Sequence, residues 1–308
     1  MAVLSTLPRA RAVAASSLLL IAGGAWLFLS VFRTTDFSPS GQSPSLRALV
    51  NPFYAFSVVM LLSISLLVDW RRRSHETNFP RPAARSSMLL ATALLLLLLA
   101  AYANSFALSP LSDDFAILVQ ARDATRSSYF GLFTHGQAGI MVRPLSLSLL
   151  LAEYNLWGQA PEGYRLVNLL LHFLAALGVA VLALDLRLSP LTAWAAAALF
   201  ALHPIHPEST VWIVSLITIQ AGACVIWSLH FYLRFRLLSR TWHLVLALVL
   251  AAMAMLSKET GYVLPLLVVL HDLIVGEPSE SWRVRLWRWA PFALLLLAGG
   301  LYRFAVVG

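Results

Sequence analysis

Nine stretches of this chain are apolar over the length, or close to the length, of a membrane crossing. They cover roughly 13–31, 52–69, 88–108, 164–185, 190–204, 211–233, 242–256, 261–275 and 290–307. The hydrocarbon core takes about 20 residues of helix to span, and within lipid a helix satisfies its own backbone groups. The pattern therefore predicts an all-α, polytopic transmembrane helical bundle with about nine crossings, embedded in the lipid bilayer. Composition agrees, with 59% hydrophobic and 12% charged residues, where a soluble domain carries about a quarter charged. The net charge of +8 comes from 22 basic and 14 acidic residues. Arginine-rich cytoplasmic loops account for it, and no nucleic-acid partner is expected. The single cysteine, Cys224, lies in an apolar run and has no internal disulfide partner.

The basic residues orient the bundle. With the N-terminus inside, loops 1–12, 70–87, 186–189, 234–241 and 276–289 hold fourteen arginines. The outer loops then hold six basic residues: Arg33, Arg47, Arg122, Arg126, Arg143 and Lys258. That bias favours N-inside and C-outside. The segment 190–204 is short and can be re-entrant. A re-entrant segment would, however, reverse the next helix and put Arg234, Arg236 and Arg240 outside, against the bias. Arg9 and Arg11 ahead of the run from Val13 to Phe32 resemble a signal sequence, but no clean cleavage site comes after it, so an uncleaved anchor is expected. Loop 70–87 divides the chain into a two-helix N-terminal membrane extension with its cytoplasmic loop, 1–87, and a main transmembrane domain, 88–308.

Three polar motifs fall on the outer side. In "LSPLSDDF", Asp113 and Asp114 come just after the third crossing. They read either as a helix start capped by Ser112 or Asp113, or as a carboxylate pair in which one acid is a general base and the other orients it or holds a metal. In "FALHPIHPEST", His203, His206 and Glu208 read either as a proline-defined turn or as a polar spot aimed by Pro204 and Pro207. Two prolines break the helical spacing that zinc sites use. In "LSKETG", Lys258 is the only lysine, beside Glu259. It reads as an interfacial cap or as a phosphate partner. Tyr164, Asn168 and His172 recur every four residues, a stripe reaching about 12 Å inward. It faces protein or a water-filled cavity. Arg143 and Arg165 flank the same region, to hold an anionic head group or simply to snorkel.

These blocks, with "RPLSLSLLLAEYNLWG", "GYRLVNLLLH" and "LSKETGYVLPLLVVLHDL", occur in an order that resembles the membrane part of the tetratricopeptide-repeat-containing O-mannosyltransferases and their bacterial relatives, which have the GT-C glycosyltransferase fold. The resemblance covers about 88–308. It implies a GT-C-like inverting transferase that moves a sugar from a polyprenyl-phosphate donor to a hydroxyl of a protein or glycan acceptor on the extracytoplasmic face. A bacterial inner membrane is the expected location. It matches the family's acidic pair to Asp113 and Asp114, its His-Pro block to His203, His206 and Glu208, and its serine-lysine-glutamate block to Lys258 and Glu259. It also implies a soluble repeat domain and further helices beyond "LYRFAVVG", so a short or truncated form is expected.

The residues thus predict catalysis by Asp113 or Asp114. Substrate contacts are expected from Arg143, Tyr164, Arg165, Asn168, His172, His203, His206, Glu208, Lys258 and Glu259. No cofactor is demanded; a divalent cation, Mg2+ or Mn2+, at Asp114 and Glu208 stays open. The alternative function is a non-catalytic membrane transporter or scaffold.

Overall fold

A computed structural model describes residues 83–123, 126–135, 141–275 and 279–307. The expected segments 13–31 and 52–69 lie outside the described residues. The described part is all helical, without a strand. Its elements are α1 (Ala84–Tyr102, continued as a 3-10 turn, Ala103–Ala107), α2 (Asp113–Arg122), α3 (Arg126–Thr134) and α4 (Pro144–Trp157). Then come α5 (Pro161–Asp185), α6 (Pro190–Leu202), α7 (Pro207–Val211) and a 3-10 turn (Ile213–Ser215) leading into α8 (Leu216–Leu238). The chain continues with α9 (Thr241–Ser257), a 3-10 turn (Glu259–Val263), α10 (Leu264–Ile274) and α11 (Trp282–Val307).

Among the described residues, four spans are long and apolar enough to cross a membrane: Ala84–Ala107, Pro161–Asp185, Ile213–Leu238 and Trp282–Val307. This is a helical membrane protein. The other expected crossings within the described residues are shorter helices. The helix Pro190–Leu202 has 13 residues and Leu264–Ile274 has 11, about 20 and 17 Å of rise. Proline sets these starts: it occupies the first turn of α4, α5, α6, α7 and α10, where its missing N–H costs nothing. At α6 the Ser189 hydroxyl also accepts the Thr192 N–H at 3.1 Å.

Alanines let the helices approach. Ala193, Ala197 and Ala201 on α6, and Ala247, Ala251 and Ala254 on α9, are fully buried at spacings of three or four, the small-residue faces of membrane packing. Leu94, Leu98 and Tyr102 of α1 pack with Ala176, Ala180, Ala197 and Ala201. Tyr232, Leu264, Val268 and Phe292 join α8, α10 and α11. Much of α11 is unburied, with Leu294 65% and Phe304 75% exposed, as suits contact with lipid.

One end of the bundle is locked by charge. Buried Asp272 accepts from Tyr232 Oη at 2.5 Å and Trp289 Nε1 at 3.0 Å, and pairs with Arg236 and Arg288. Arg236 lies eighteen residues along α8 from Thr218, about 27 Å. The opposite end of α8 carries the polar motifs.

The stretch 109–163, which lies between the expected crossings 88–108 and 164–185, forms helices α2, α3 and α4. Buried Glu153 on α4 has no hydrogen-bond partner for either carboxylate oxygen among the described residues. Burial pushes its carboxyl up to about 8. The folded chain therefore binds this proton more tightly than the unfolded chain, so stability falls as pH rises from the ordinary carboxylate range toward 8. Thermal unfolding should show this: the parent loses stability as pH rises from about 5 to about 8, and Glu153→Gln flattens that loss. Equal slopes would mean that Glu153 is solvated.

Candidate functional site

Four segments far apart in sequence meet at one cavity of about 480 Å3. Asp113 comes from the start of α2. His206, Glu208, Ser209 and Trp212 come from the turn around α7. Val214, Ser215, Ile217 and Thr218 lead into α8, and Arg143 and Lys258 complete the wall. Ile205 also lines it.

Local sequence explains how each side chain arrives. His203 ends α6, Pro204 comes next, and Pro207 opens α7, so the chain turns sharply twice and presents Glu208 in the first turn of a short helix. Lys258 is extended (φ −158°) after α9, and Gly261 brings the next turn back against that helix. A Cβ at Gly261 would sit 2.4 Å from the Ala254 carbonyl, so a larger residue would displace Lys258 and Glu259. Ser112, ahead of Asp113, takes φ 42°, a backbone region rarely used without glycine.

The acidic pair is divided. Asp113 is exposed to the cavity, and the Ser112 hydroxyl donates to it at 3.2 Å. Asp114 is fully buried. Its Oδ2 accepts the Leu111 N–H at 2.9 Å and its Oδ1 accepts the Val214 N–H at 3.0 Å. Asp114 therefore ties α2 to the turn before α8. The expected cap is different too: Ser112 makes no side-chain cap bond.

The cations also differ in role. Arg143 donates to Glu259 through Nε and Nη2, the closest at 2.8 Å, and Arg303 of α11 reaches the same carboxylate at 3.0 Å. Burial raises the Glu259 carboxyl, but these hydrogen bonds outweigh it and bring it down to about 2. Lys258 donates from Nζ to the Thr218 hydroxyl at 2.7 Å. Burial and then the Arg143 charge push its ammonium downward. Burial, then His172 and His203, push His206 down to about 4, so its ring is neutral near pH 7. His203 is exposed, with its Nδ1 accepting the Ile205 N–H.

The stripe on α5 faces protein and lies outside the cavity lining. Tyr164 Oη donates to the Gly158 carbonyl at 2.7 Å and Asn168 Nδ2 to the Trp212 carbonyl at 2.9 Å. His172 Nε2 lies 3.1 Å from the Ala201 carbonyl, and its ring is 4.8 Å from that of His206. Arg165 is fully buried and donates to the carbonyls of Val211, Leu108 and Ser109. These four residues hold up the cavity from behind.

A resident divalent cation does not fit on Asp114 and Glu208. Both Asp114 oxygens already accept backbone N–H groups, and no three His, Cys, Asp or Glu side chains gather among the described residues. Sequence reasoning missed Trp212, Ser209, Ser215 and Thr218. One signal was available: Trp212 stands four residues after Glu208.

Comparison with known proteins agrees with the resemblance carried by the ordered blocks. The chain is similar to protein O-mannosyl-transferases. It is 35% identical to protein O-mannosyl-transferase Tmtc1 of Drosophila melanogaster over 140 residues, 45% of this chain and 16% of that protein. It is 35% identical to Tmtc2 of the same organism over 151 residues, 47% of this chain and 16% of the relative. It is 32% identical to TMTC4 of Homo sapiens over 161 residues, 44% of this chain and 21% of the relative. The chain thus spans less than a quarter of the length of these curated relatives. No family model matches, and no solved structure matches.

Proposed function

We propose that this chain is the membrane part of a glycosyltransferase with a GT-C-like bundle of about nine crossings, 1–87 forming an N-terminal extension to 88–308. It moves a sugar from a polyprenyl phosphate to a hydroxyl on the extracytoplasmic side of a bacterial inner membrane. The relatives' names make mannose the first sugar to test and a protein the first acceptor. The observation that carries the reading is the convergence of Asp113, Glu208 and Lys258, up to 145 positions apart, on one cavity.

The cavity supplies both halves of the chemistry. Asp113, exposed and without a cationic partner among the described residues, is placed to accept the proton of the acceptor hydroxyl. The hydroxyl oxygen bonds to the anomeric carbon as the bond from that carbon to the phosphate oxygen breaks. The electron pair leaves with the phosphate. Lys258, whose Nζ has a neutral hydroxyl as its partner, and Arg143 stabilise the charge that develops there. Glu259 fixes Arg143 rather than contacting substrate. No step runs through a metal.

The test is transfer itself. Membranes carrying the chain are incubated with radiolabelled polyprenyl-phosphate mannose and a serine- and threonine-containing peptide. Labelled peptide supports the reading. Solute movement without transfer would make the protein a transporter, and neither activity would leave a scaffold.

A further inference from the structure

Among the described residues, the cavity is lined by one large aromatic side chain that the proposed chemistry does not use. Trp212 lines it, half-buried, in the same wall as Glu208 and Ser209. Its Nε1 donates to the Leu111 carbonyl at 3.0 Å, and its own carbonyl accepts Asn168 Nδ2 at 2.9 Å. Ring and backbone are therefore both pinned. Other tryptophans have plainer roles. Trp227 and Trp289 spend their N–H groups on contacts between helices, to Leu174 and Asp272. Trp242, Trp282 and Trp287 lie more than half exposed on the outside.

A pinned indole beside carboxylates suits one ligand chemistry. A pyranose chair has an apolar face of C–H bonds and a rim of hydroxyls. Stacking that face on an aromatic ring removes it from water, and carboxylates accept hydrogen bonds from the rim. Because the Trp212 N–H is already committed to Leu111, the ring offers its face rather than its polar edge. The volume falls within the range of small-ligand pockets.

We propose that Trp212 is the stacking platform for the transferred pyranose, with Glu208 accepting from its hydroxyls, a specificity element distinct from the phosphate contact at Lys258. This rests on the reading of the cavity as a sugar-lipid site. Two substitutions separate a platform from a structural tie. Trp212→Phe and Trp212→Leu both lose the N–H bond to Leu111, and only the leucine loses the aromatic face.

Binding to the full chain in nanodiscs is measured by calorimetry, with short-chain polyprenyl-phosphate mannose and with the same polyprenyl phosphate lacking sugar. The platform predicts that Trp212→Phe holds the sugar-bearing lipid within about threefold of the parent. Trp212→Leu should weaken it by about tenfold or more, the equivalent of about 1.4 kcal/mol. Neither variant should change binding of the sugar-free lipid. Equal losses in the two variants would reduce Trp212 to a tie for Leu111, and equal weakening of both lipids by leucine would mark a collapsed cavity; either overturns the platform. A parent that binds neither lipid would overturn the sugar-lipid reading itself.

Discussion

Asp113→Asn should leave a folded protein that has lost sugar transfer by about 100- to 10,000-fold, the contribution of a positioned general base. Asp114→Asn, one residue away, should do something different. Asp113 is exposed to the cavity, and its one hydrogen bond among the described residues is from the Ser112 hydroxyl. Amide replacement removes the proton acceptor and little else. Asp114 uses both oxygens on backbone N–H groups, those of Leu111 and Val214. An amide turns an NH2 toward one of those donors and leaves it unpaired in a buried site, at a cost of about 1–3 kcal/mol. Thermal unfolding combined with the transfer assay separates them. Asp113→Asn keeps the parent's unfolding temperature without activity, whereas Asp114→Asn unfolds earlier and loses activity in proportion. Full transfer by Asp113→Asn would remove the base from the mechanism.

Arg165→Leu should be the most destabilising single change among the polar residues around the cavity. The guanidinium is fully buried and is the donor to three carbonyls, at Leu108, Ser109 and Val211. Those carbonyls belong to the turns that carry the acidic pair and the end of α7. Removing the donor leaves three part-buried carbonyls without their charged partner; hydrogen bonds to charged groups are worth about 1.5–3 kcal/mol each before water compensates, so a total loss of about 3–5 kcal/mol is expected. Arg165→Lys should not rescue it, because one ammonium cannot reproduce the planar fork. Denaturant unfolding in a fixed detergent measures the loss. A change below about 1 kcal/mol would show that water replaces the guanidinium and that Arg165 is free to act on a ligand.

These two cases mark what the sequence could reveal. The apolar runs and the prolines that open each helix were readable directly, because both act locally. The three motifs that would share a cavity were also readable, since short polar gaps between long apolar runs fall at bundle ends. Which member of Asp113 and Asp114 faces the cavity was not. Successive residues on a helix point about 100° apart, and the direction depends on where Leu111 and Val214 lie. Arg165 resembled a snorkelling interfacial arginine because its partners are backbone carbonyls, 46 to 57 residues away, and carbonyls leave no trace in side-chain identity. The stripe Tyr164, Asn168 and His172 was correctly placed on one face, yet periodicity cannot tell a cavity wall from the strut behind it. Within 109–163 a helix start at the acidic pair was readable, but its extent and the helices after it were not. Asp113–Arg122 has no strong one-sided hydrophobic pattern, and Pro144–Trp157 is too short to register as a crossing.

The proposed transfer requires Asp113, Glu208 and Lys258 to share a water-filled mouth on the outer side of the membrane. Ser209 lines that mouth, and Ser281 lies exposed at the arginine-rich end, beside the start of α11. The direct measurement is labelling of Ser209→Cys and Ser281→Cys with a membrane-impermeant thiol reagent on intact cells, with buried Cys224 as the unreactive background. Ser209→Cys should label from outside and be slowed by saturating polyprenyl-phosphate mannose, while Ser281→Cys should label only after permeabilisation. The opposite pattern, or a Ser209→Cys variant that no reagent reaches from the outer side, would contradict that arrangement.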